Sequence, residues 1–305
     1  MFLFLARRLL GAMLLVFAVA SGALLLAQLA PGDYASQFGH SPAEIAAERH
    51  RLGLDRPLVE RYTGWLERTL TLDFGQSFQY RRPVMDLVRE RAANTALLAV
   101  CALVVATLIG IPSGVFTGSR QRGAAVRAVR GASLVLLSVP PLISSLVLLT
   151  IAARTGWLPI SGMEGPRHFV VPTLALALPI AAMLERLQAQ SIGDVLSKPF
   201  AIAARARGLS HARIVWRHAW RQSLGPILAV YGVVVASLFS GSFAVEMVAS
   251  WPGLGQLMFN ALTVRDTYLV AGCAAAGATF LAIGVLAVDV AHALADPRLE
   301  GTHGA

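Results

Sequence analysis

The feature that most constrains this chain is a series of long apolar stretches, each about as long as a helix needs to cross a membrane. The first stretch, residues 9–30, follows Arg7 and Arg8. It is long enough, because about 20 apolar residues in helical conformation span the hydrocarbon core of a bilayer. Five further stretches lie at residues 95–118, 131–153, 170–188, 226–248 and 268–294. The sequence therefore predicts an all-α integral membrane protein with six transmembrane helices.

Composition excludes a water-soluble enzyme. Apolar residues make up 56% of the 305 residues and charged residues only 14%, against roughly 25% charged in a typical soluble domain. A soluble core cannot enclose that much apolar surface, so the membrane is the expected solvent. The two cysteines, Cys101 and Cys273, both lie in apolar stretches. We expect each to pack as a small hydrophobic residue, and predict neither a disulfide framework nor a metal cluster.

The first apolar stretch has one alternative interpretation, a cleaved signal peptide. The apolar region of such a peptide is usually about 7–15 residues long, and this one is longer, with no small-x-small cleavage site before Pro31. We therefore expect a retained helix whose N-terminus lies in the cytoplasm.

The distribution of Lys and Arg predicts the orientation, since these residues accumulate in cytoplasmic loops. Two Lys or Arg residues precede the first stretch, four lie in residues 119–130, seven lie in residues 186–225 and one lies in the tail. The segments expected on the other side, 154–169 and 249–267, hold three between them. This bias places both termini in the cytoplasm. It also explains the net charge of +9 without a nucleic-acid partner.

Residues 31–94 are expected outside, as a small folded cap. Their nine Arg are balanced by nine Asp or Glu, and long segments cross the membrane largely regardless of charge. A helix is predicted over residues 41–52, with Ser41 as N-cap, Pro42 at the first position and Gly53 as terminator. Four aromatic residues favour a packed cap over a disordered tail; they are Tyr62, Trp65, Phe74 and Phe78.

Residues 191–225 form a patterned polar segment between the fourth and fifth apolar stretches. A short helix is predicted over residues 200–207, starting after Ser197-Lys198-Pro199 and stopping at Gly208, where a left-handed residue is needed. Ser210 is expected to cap a second helix that leads to Pro226, where the fifth span begins. The short helix combines small and basic residues: Ala203, Ala204, Ala206, Arg205 and Arg207. Small residues permit close docking in a partner's groove. On composition alone, a basic surface helix held by anionic lipid is the alternative.

This segment resembles the EAA loop of ABC importer permeases, in the form found in peptide permeases. The resemblance rests on Ile202-Ala203-Ala204-Arg205-Ala206-Arg207-Gly208-Leu209-Ser210, followed by His218-Ala219-Trp220-Arg221-Gln222-Ser223-Leu224-Gly225-Pro226. The Glu that names the motif is replaced here by Ile202. Peptide permeases often lack that Glu as well.

Two further regions are similar to the first permease subunit of the same family. Residues 52–57, with Gly64-Trp65, Asp73-Phe74-Gly75-Gln76-Ser77 and Arg82-Pro83-Val84, match its external segment. The signature after the fifth span is matched by Ser242-Phe243-Ala244-Val245-Glu246, Ser250-Trp251-Pro252-Gly253-Leu254-Gly255 and Arg265-Asp266. A closing Asp296-Pro297-Arg298 also fits. The resemblance therefore extends from the first helix to the tail.

The resemblance implies a type-1 ABC importer permease fold and a set of partners. These are a sister permease, two ATPase subunits that bind ATP and Mg²⁺, and an external substrate-binding protein. The chain contains no Gly-x-x-x-x-Gly-Lys-Ser/Thr phosphate loop, so we expect it to bind no cofactor and to be no enzyme by itself. The resemblance makes residues 199–210 the helix that couples to the ATPases. The expected coupling residues are Ala203, Ala204, Arg205, Arg207, Gly208, Leu209 and Ser210, and the family signature residues are Glu246, Trp251, Pro252, Gly253 and Gly255.

The predicted layout has four parts: an N-terminal helix (1–30), the cap (31–94), a transmembrane core (95–294) that carries the coupling segment 191–225, and a cytoplasmic tail (295–305). The expected location is the inner membrane of a bacterium or archaeon. The expected substrates are di- or oligopeptides, or a related small solute such as nickel or glutathione.

Three carboxylates within the apolar stretches leave a second hypothesis open. An ionisable residue at membrane depth is a functional candidate, so Glu185, Glu246 and Asp289 would serve a stand-alone proton-coupled carrier. We favour a structural role, in which they reach water at an interface or pair with Arg. A membrane-embedded hydrolase is a third, weaker hypothesis, because Ser144, Ser145 and His292 form no specific catalytic pattern.

Glycines and prolines predict how the spans pack. Gly110, Gly114 and Gly118 form a row that lets another helix approach closely, either in this chain or in its sister. Several prolines are expected to break the spans and bend them around a path; they are Pro112, Pro140, Pro141, Pro172 and Pro179.

Overall fold

The computed structural model describes the backbone of residues 2–38, 41–120 and 122–295, and the side chains of residues 6–37, 41–120 and 122–287. The Asp296-Pro297-Arg298 sequence and nearly all of the predicted tail lie outside the described residues. Within these ranges, five helices are long and apolar enough to cross a membrane, and a bent pair of shorter helices provides a sixth span if counted as one. The all-α prediction is confirmed.

Thirteen α-helices follow one another along the described chain, most of them joined by short connections. They are α1 (Phe2–Leu29), α2 (Ala35–Phe38), α3 (Pro42–Leu52), α4 (Leu58–Thr69), α5 (Val84–Ser119), α6 (Ala124–Ser138), α7 (Pro141–Thr155), α8 (Val170–Leu196), α9 (Pro199–Ala206), α10 (His211–Arg213), α11 (Trp220–Val248), α12 (Leu254–Thr263) and α13 (Thr267–Ala295). A 3₁₀ turn (Pro166–Phe169) leads into α8, and a π-helical turn (Ile214–Ala219) joins α10 to α11.

Helix α3 forms where the sequence predicts it. The Ser41 side chain accepts a hydrogen bond from the Glu44 amide, and the Glu44 side chain accepts one from the Ser41 amide. This reciprocal capping box satisfies amides that would otherwise lack partners at the start of the helix. Gly53 ends α3 with φ 66°, in the left-handed region that glycine adopts without a steric penalty.

The third span, predicted over residues 131–153, is broken at Pro140 and Pro141, as the sequence predicts for these two prolines. It consists of α6 and α7, which meet at an angle of 109°. Val139 is extended, with φ −99° and ψ 116°, because the ring of Pro140 disfavours helical conformation in the residue before it. Pro141 then occupies the first turn of α7, where its missing N–H costs nothing.

The other prolines do not break their helices, contrary to the expectation. Pro112 lies inside α5 and Pro179 inside α8, while Pro172 lies in the first turn of α8. The fifth span also begins earlier than Pro226, since helical structure runs from His211 to Val248 and contains that proline. The π-helical turn just before α11 shifts the hydrogen-bond register upstream of Pro226.

Two compact units make up the described structure, and the first combines residues 1–96 with residues 252–283. Its core includes Trp65, which is fully buried and packs against Phe74 and Tyr268. A second cluster joins the start of α5 to α12 and α13 through Val84, Leu257 and Leu269. The predicted packing of the aromatic residues in the cap is confirmed for Trp65.

The second unit comprises residues 97–251 together with the chain after residue 283. Its core is built on α8, whose inward side chains meet those of α5 and α11. The glycine row lies against α8 of the same chain: a Cβ at Gly110 would lie 2.6 Å from the Ala181 carbonyl oxygen, and one at Gly114 would lie 2.5 Å from that of Glu185. The row therefore serves packing within this chain, one of the two predicted possibilities.

Candidate functional site

The short helix α9 lies on a hydrophobic cluster of the second unit. Its inner side contributes Ala201, which is fully buried, and the half-buried Phe200 and Ala204. The cluster beneath contains side chains from α5, from the last turns of α8 and from the π-helical turn; they are Val115, Ile192, Val195, Leu196, Ile214, Val215 and Ala219. The hydrophobic cluster that supports α9 is therefore made by the ends of three candidate spans.

The stop at Gly208 has the predicted geometry. Gly208 has φ 77°, and its amide donates to the Arg205 carbonyl oxygen at 2.9 Å. The Leu209 amide then donates to the Ala204 carbonyl oxygen at 3.2 Å. These bonds satisfy carbonyls at the end of α9, and a left-handed residue makes them possible.

The outer side of α9 is exposed and basic. Ala203, Arg205 and Arg207 are exposed, as is Ile202, at the position where the family motif has Glu. Gly208 and Ser210 are also exposed, while Leu209 is half-buried in the cluster under the helix. Ser210 occupies the N-cap position of α10 without a side-chain capping bond. The predicted coupling residues are therefore exposed, apart from the half-buried Ala204 and Leu209.

The predicted signature residues lie elsewhere, at a buried corner after α11. Glu246 and Trp251 are both fully buried, and the Trp251 amide donates to the Glu246 carbonyl oxygen at 2.9 Å. The Trp251 ring packs edge-on against Phe169, with ring centroids 4.6 Å apart. Gly253 and Gly255 are buried and Pro252 is half-buried. This part of the signature has the character of a structural corner.

Two sequence regions that carry the family resemblance meet in the first unit. Ser77 Oγ donates to Asp266 Oδ2 at 2.6 Å, and the Gln79 amide donates to the same oxygen at 3.1 Å. Asp266 Oδ1 accepts from the Leu269 amide at the start of α13. Burial raises the pKa of Asp266, and the hydrogen bonds from Ser77, Gln79 and Leu269 offset part of that rise.

Some contacts at this corner carry no recognisable signal in the sequence. Asn94 Nδ2 donates to the Pro252 carbonyl oxygen at 2.7 Å, and Thr95 Oγ1 accepts from the Leu254 amide at 2.8 Å. Both side chains come from α5, far from the signature in the chain. Polar residues near the start of an apolar stretch are the only hint that the sequence offers.

Two of the three carboxylates of the carrier hypothesis are buried in the described structure. Glu185 and Glu246 are 1% and 0% exposed, so neither reaches water at an interface. Thr117 Oγ1 donates to Glu185 Oε1, and one turn further along α8 Gln188 donates to Ser223 Oγ at 2.8 Å. Asp289 belongs to α13, but its side chain is not among those described. Within the described part of the chain, no group of three or more His, Cys, Asp or Glu could hold a metal ion.

Comparison with protein families covers nearly the whole chain. Residues 110–301 match the family described as the binding-protein-dependent transport system inner membrane component. Residues 1–99 match the N-terminal region of the corresponding membrane component.

Curated relatives extend over almost the same length. The glutathione transport system permease protein GsiC of Escherichia coli K12 is 30% identical over 299 residues, which cover 96% of this chain and 97% of that protein. The oligopeptide transport system permease protein AppB of Bacillus subtilis is 28% identical over 313 residues, which cover 97% of this chain and 99% of that protein. A putative peptide permease protein of Brucella ovis is 30% identical over 295 residues, which cover 91% of this chain and 92% of that protein.

A solved structure supports the fold. The MetNI methionine ABC transporter, in an inward-facing conformation, matches with a TM-score of 0.51 at 19% identity, over 68% of this chain and 94% of that one. None of these comparisons supports a stand-alone carrier. Sequence and fold agree that this chain belongs to the binding-protein-dependent transport system inner membrane components, as a multi-pass permease subunit of the peptide and nickel type of ABC importer.

Proposed function

We propose that this chain is the first permease subunit of an ATP-driven importer for di- or oligopeptides, and that α9 couples it to an ATPase. A sister permease completes the translocation path, two ATPase subunits bind ATP and Mg²⁺, and an external binding protein delivers the substrate. Both termini face the cytoplasm of a bacterial or archaeal cell, and the cap and the loop after α11 face the binding protein.

The packing of α9 on a buried hydrophobic cluster is the observation that carries this proposal. Ala201 fixes the helix to side chains of α5, α8 and the π-helical turn, while Ala203 and the two arginines remain exposed. A partner that binds the exposed side would pull on the ends of three candidate spans through one buried cluster. Small side chains allow the close approach that a groove requires.

The substrate class rests on the relatives. AppB is named for oligopeptides and GsiC for glutathione, itself a small peptide. A peptide or peptide-like substrate is common to both names.

Replacing Ala203 by Trp tests the docking surface without disturbing the fold. Ala203 is exposed in the middle of α9, so a bulky side chain there obstructs a partner and leaves the inner side intact. We expect ATPase to be lost from the purified complex and peptide uptake to fall at least about tenfold, since a blocked contact at an interface centre costs 2 kcal/mol or more.

Ala125→Trp is the matched control, because Ala125 is also exposed and lies in a segment predicted on the same side of the membrane. It should retain both ATPase and uptake. Wild-type uptake by an Ala203→Trp variant present at normal membrane levels would refute the coupling role of α9.

Competition for uptake tests the substrate class. Cells that depend on this importer should take up labelled tri-alanine, and excess unlabelled peptide should suppress that uptake. Suppression by glutathione alone, or by nickel alone, would overturn the assignment to di- and oligopeptides.

A further inference from the structure

A polar cavity of about 230 Å³ lies in the first unit, beside the segment that follows α1. Its charged and polar lining includes Gln28, Asp33, Arg49, Arg61 and Arg265. Since a water molecule occupies about 30 Å³ in the liquid, the cavity has room for one terminal amino-acid unit and not for a whole oligopeptide.

The acidic side chain in the lining is already neutralised. Arg49 Nε donates to Asp33 Oδ2 at 2.6 Å, and the Ser36 amide donates to Asp33 Oδ1 at 2.9 Å. Burial by itself would raise the pKa of Asp33, but the bonds from Arg49 and Ser36 bring it below its ordinary value. Asp33 therefore stays ionised and paired, and the cavity keeps the charges of Arg61 and Arg265.

Arg265 is held at the cavity by an unusual backbone conformation. Its φ is 61°, in the left-handed region that residues other than glycine seldom occupy. Its guanidinium donates to the Pro31 carbonyl oxygen and lies against Gly32, where any side chain would collide with it. Gly32 itself has φ 85°. Arg265 and Gly32 therefore both line the cavity with backbone in the left-handed region.

Two lining residues carry buried polar atoms that lack partners among the described residues. They are Arg61 Nε, a donor, and Gln28 Oε1, an acceptor. A buried polar atom without a partner costs free energy. A ligand that brings one acceptor and one donor would satisfy both atoms.

We propose that this cavity binds the carboxylate end of a peptide. Arg61 and Arg265 receive the carboxylate, since guanidinium groups bind carboxylates strongly. Gln28 Oε1 accepts the backbone N–H of the C-terminal residue, which every residue except proline has. The peptide as ligand rests on the proposed function, whereas the recognition of a carboxylate rests on the cavity alone.

Direct binding tests this site. The full chain, purified with its accompanying subunits in lipid nanodiscs, is titrated calorimetrically with tri-alanine, tri-alanine amide and acetate. We expect tri-alanine to bind and the amide, which has no carboxylate, to bind at least about tenfold more weakly.

Variants at Arg61 attribute the binding to the cavity. Arg61→Gln should weaken the binding of tri-alanine at least about tenfold, and Arg61→Lys should restore part of it by keeping the charge. Arg56→Gln is the matched control: Arg56 is exposed and lies outside the cavity lining, so it should bind as the wild type does.

Comparing the affinities of tri-alanine and acetate shows whether the cavity recognises a peptide terminus or only a carboxylate. Tighter binding of tri-alanine than of acetate supports a peptide terminus as the ligand. Equal affinity for tri-alanine and acetate would show that the cavity recognises a carboxylate but not the peptide attached to it, and would overturn the peptide as its ligand. Equal affinity for tri-alanine and its amide, equal effects of Arg61→Gln and Arg56→Gln, or no binding at millimolar concentration would overturn the proposal. Peptide uptake that persists beside a negative titration would refute this site and leave the proposed function standing.

Discussion

At the scale of single residues, three glycines of α5, which have no side chain, set the distance between α5 and α8. Gly110, Gly114 and Gly118 each face the backbone of α8, at Ala181, Glu185 and Ala189. Both sets of residues repeat every four positions, so the ridge of α8 enters the groove left by the glycines. The sequence predicts this contact, because a glycine row leaves a groove on a helix. It does not identify the partner helix, because the positions on α8 carry ordinary residues.

Gly114→Ala tests the close approach of these helices. A Cβ there would lie 2.5 Å from the Glu185 carbonyl oxygen and 2.6 Å from Gln188 Cβ. We expect the free energy of unfolding to fall by about 1–3 kcal/mol, as overpacking forces the helices apart. Thermal unfolding of the purified protein in detergent measures this change.

Gly131→Ala provides the control, since Gly131 lies in α6 with no atom near its Cβ position. That substitution should raise the stability by up to about 1 kcal/mol, because alanine favours helix. If both variants lost the same stability, the close contact at Gly114 would not be the cause.

At the scale of elements, helix ends and breaks follow from local rules. The capping box of α3 and the glycine stop of α9 both occur where the sequence places them. The 109° bend between α6 and α7 falls at Pro140 and Pro141, where the sequence predicts a break, whereas the helix that continues through Pro226 was not predicted. Proline restricts its own residue and the one before it. Whether the helix then breaks or continues depends on packing, which the local sequence does not contain.

Substitutions at Gly208 separate backbone conformation from side-chain size. No atom lies within 4 Å of the position that its Cβ would occupy, so only the φ of 77° limits the choice. Asn tolerates this region and Val does not. We expect Gly208→Val to cost about 1–2 kcal/mol and Gly208→Asn much less.

Hydrogen–deuterium exchange of the α9 amides measures the difference in stability between the Gly208→Val and Gly208→Asn variants, independently of transport. Exchange should accelerate about 5–30-fold in Gly208→Val, if the strain is relieved by opening the end of the helix. Equal exchange in the Val and Asn variants would mean that the left-handed stop does not hold α9 in place.

At the scale of the whole molecule, contacts between distant segments were beyond the reach of sequence patterns. Ser77 and Asp266 each belong to a motif that resembles the family, yet nothing in either motif indicates that the two side chains meet. The cavity beside α1 likewise assembles Arg61 and Arg265 from separate parts of the chain. Arg265 belongs to a motif that resembles the family and Arg61 belongs to none, and only the fold brings these two together.

The proposed topology predicts which positions are accessible from outside the cell. Single cysteines are placed at the exposed positions Glu67 and Ser210, in a background where Cys101 and Cys273 are replaced. A membrane-impermeant maleimide should label Glu67→Cys in intact cells and Ser210→Cys only after permeabilisation. The reverse pattern would invert the orientation derived from the positive charges.

The glycine row also bears on how movement travels through the second unit. The glycine row leaves no side chain of α5 between the two helices, so we expect α5 and α8 to move as one stiff body along their shared length. Leu196 at the end of α8 and Val115 of α5 both reach the cluster under α9. A push on α9 therefore turns this body as a whole, and any pivot for that rotation lies outside the contact between the two helices.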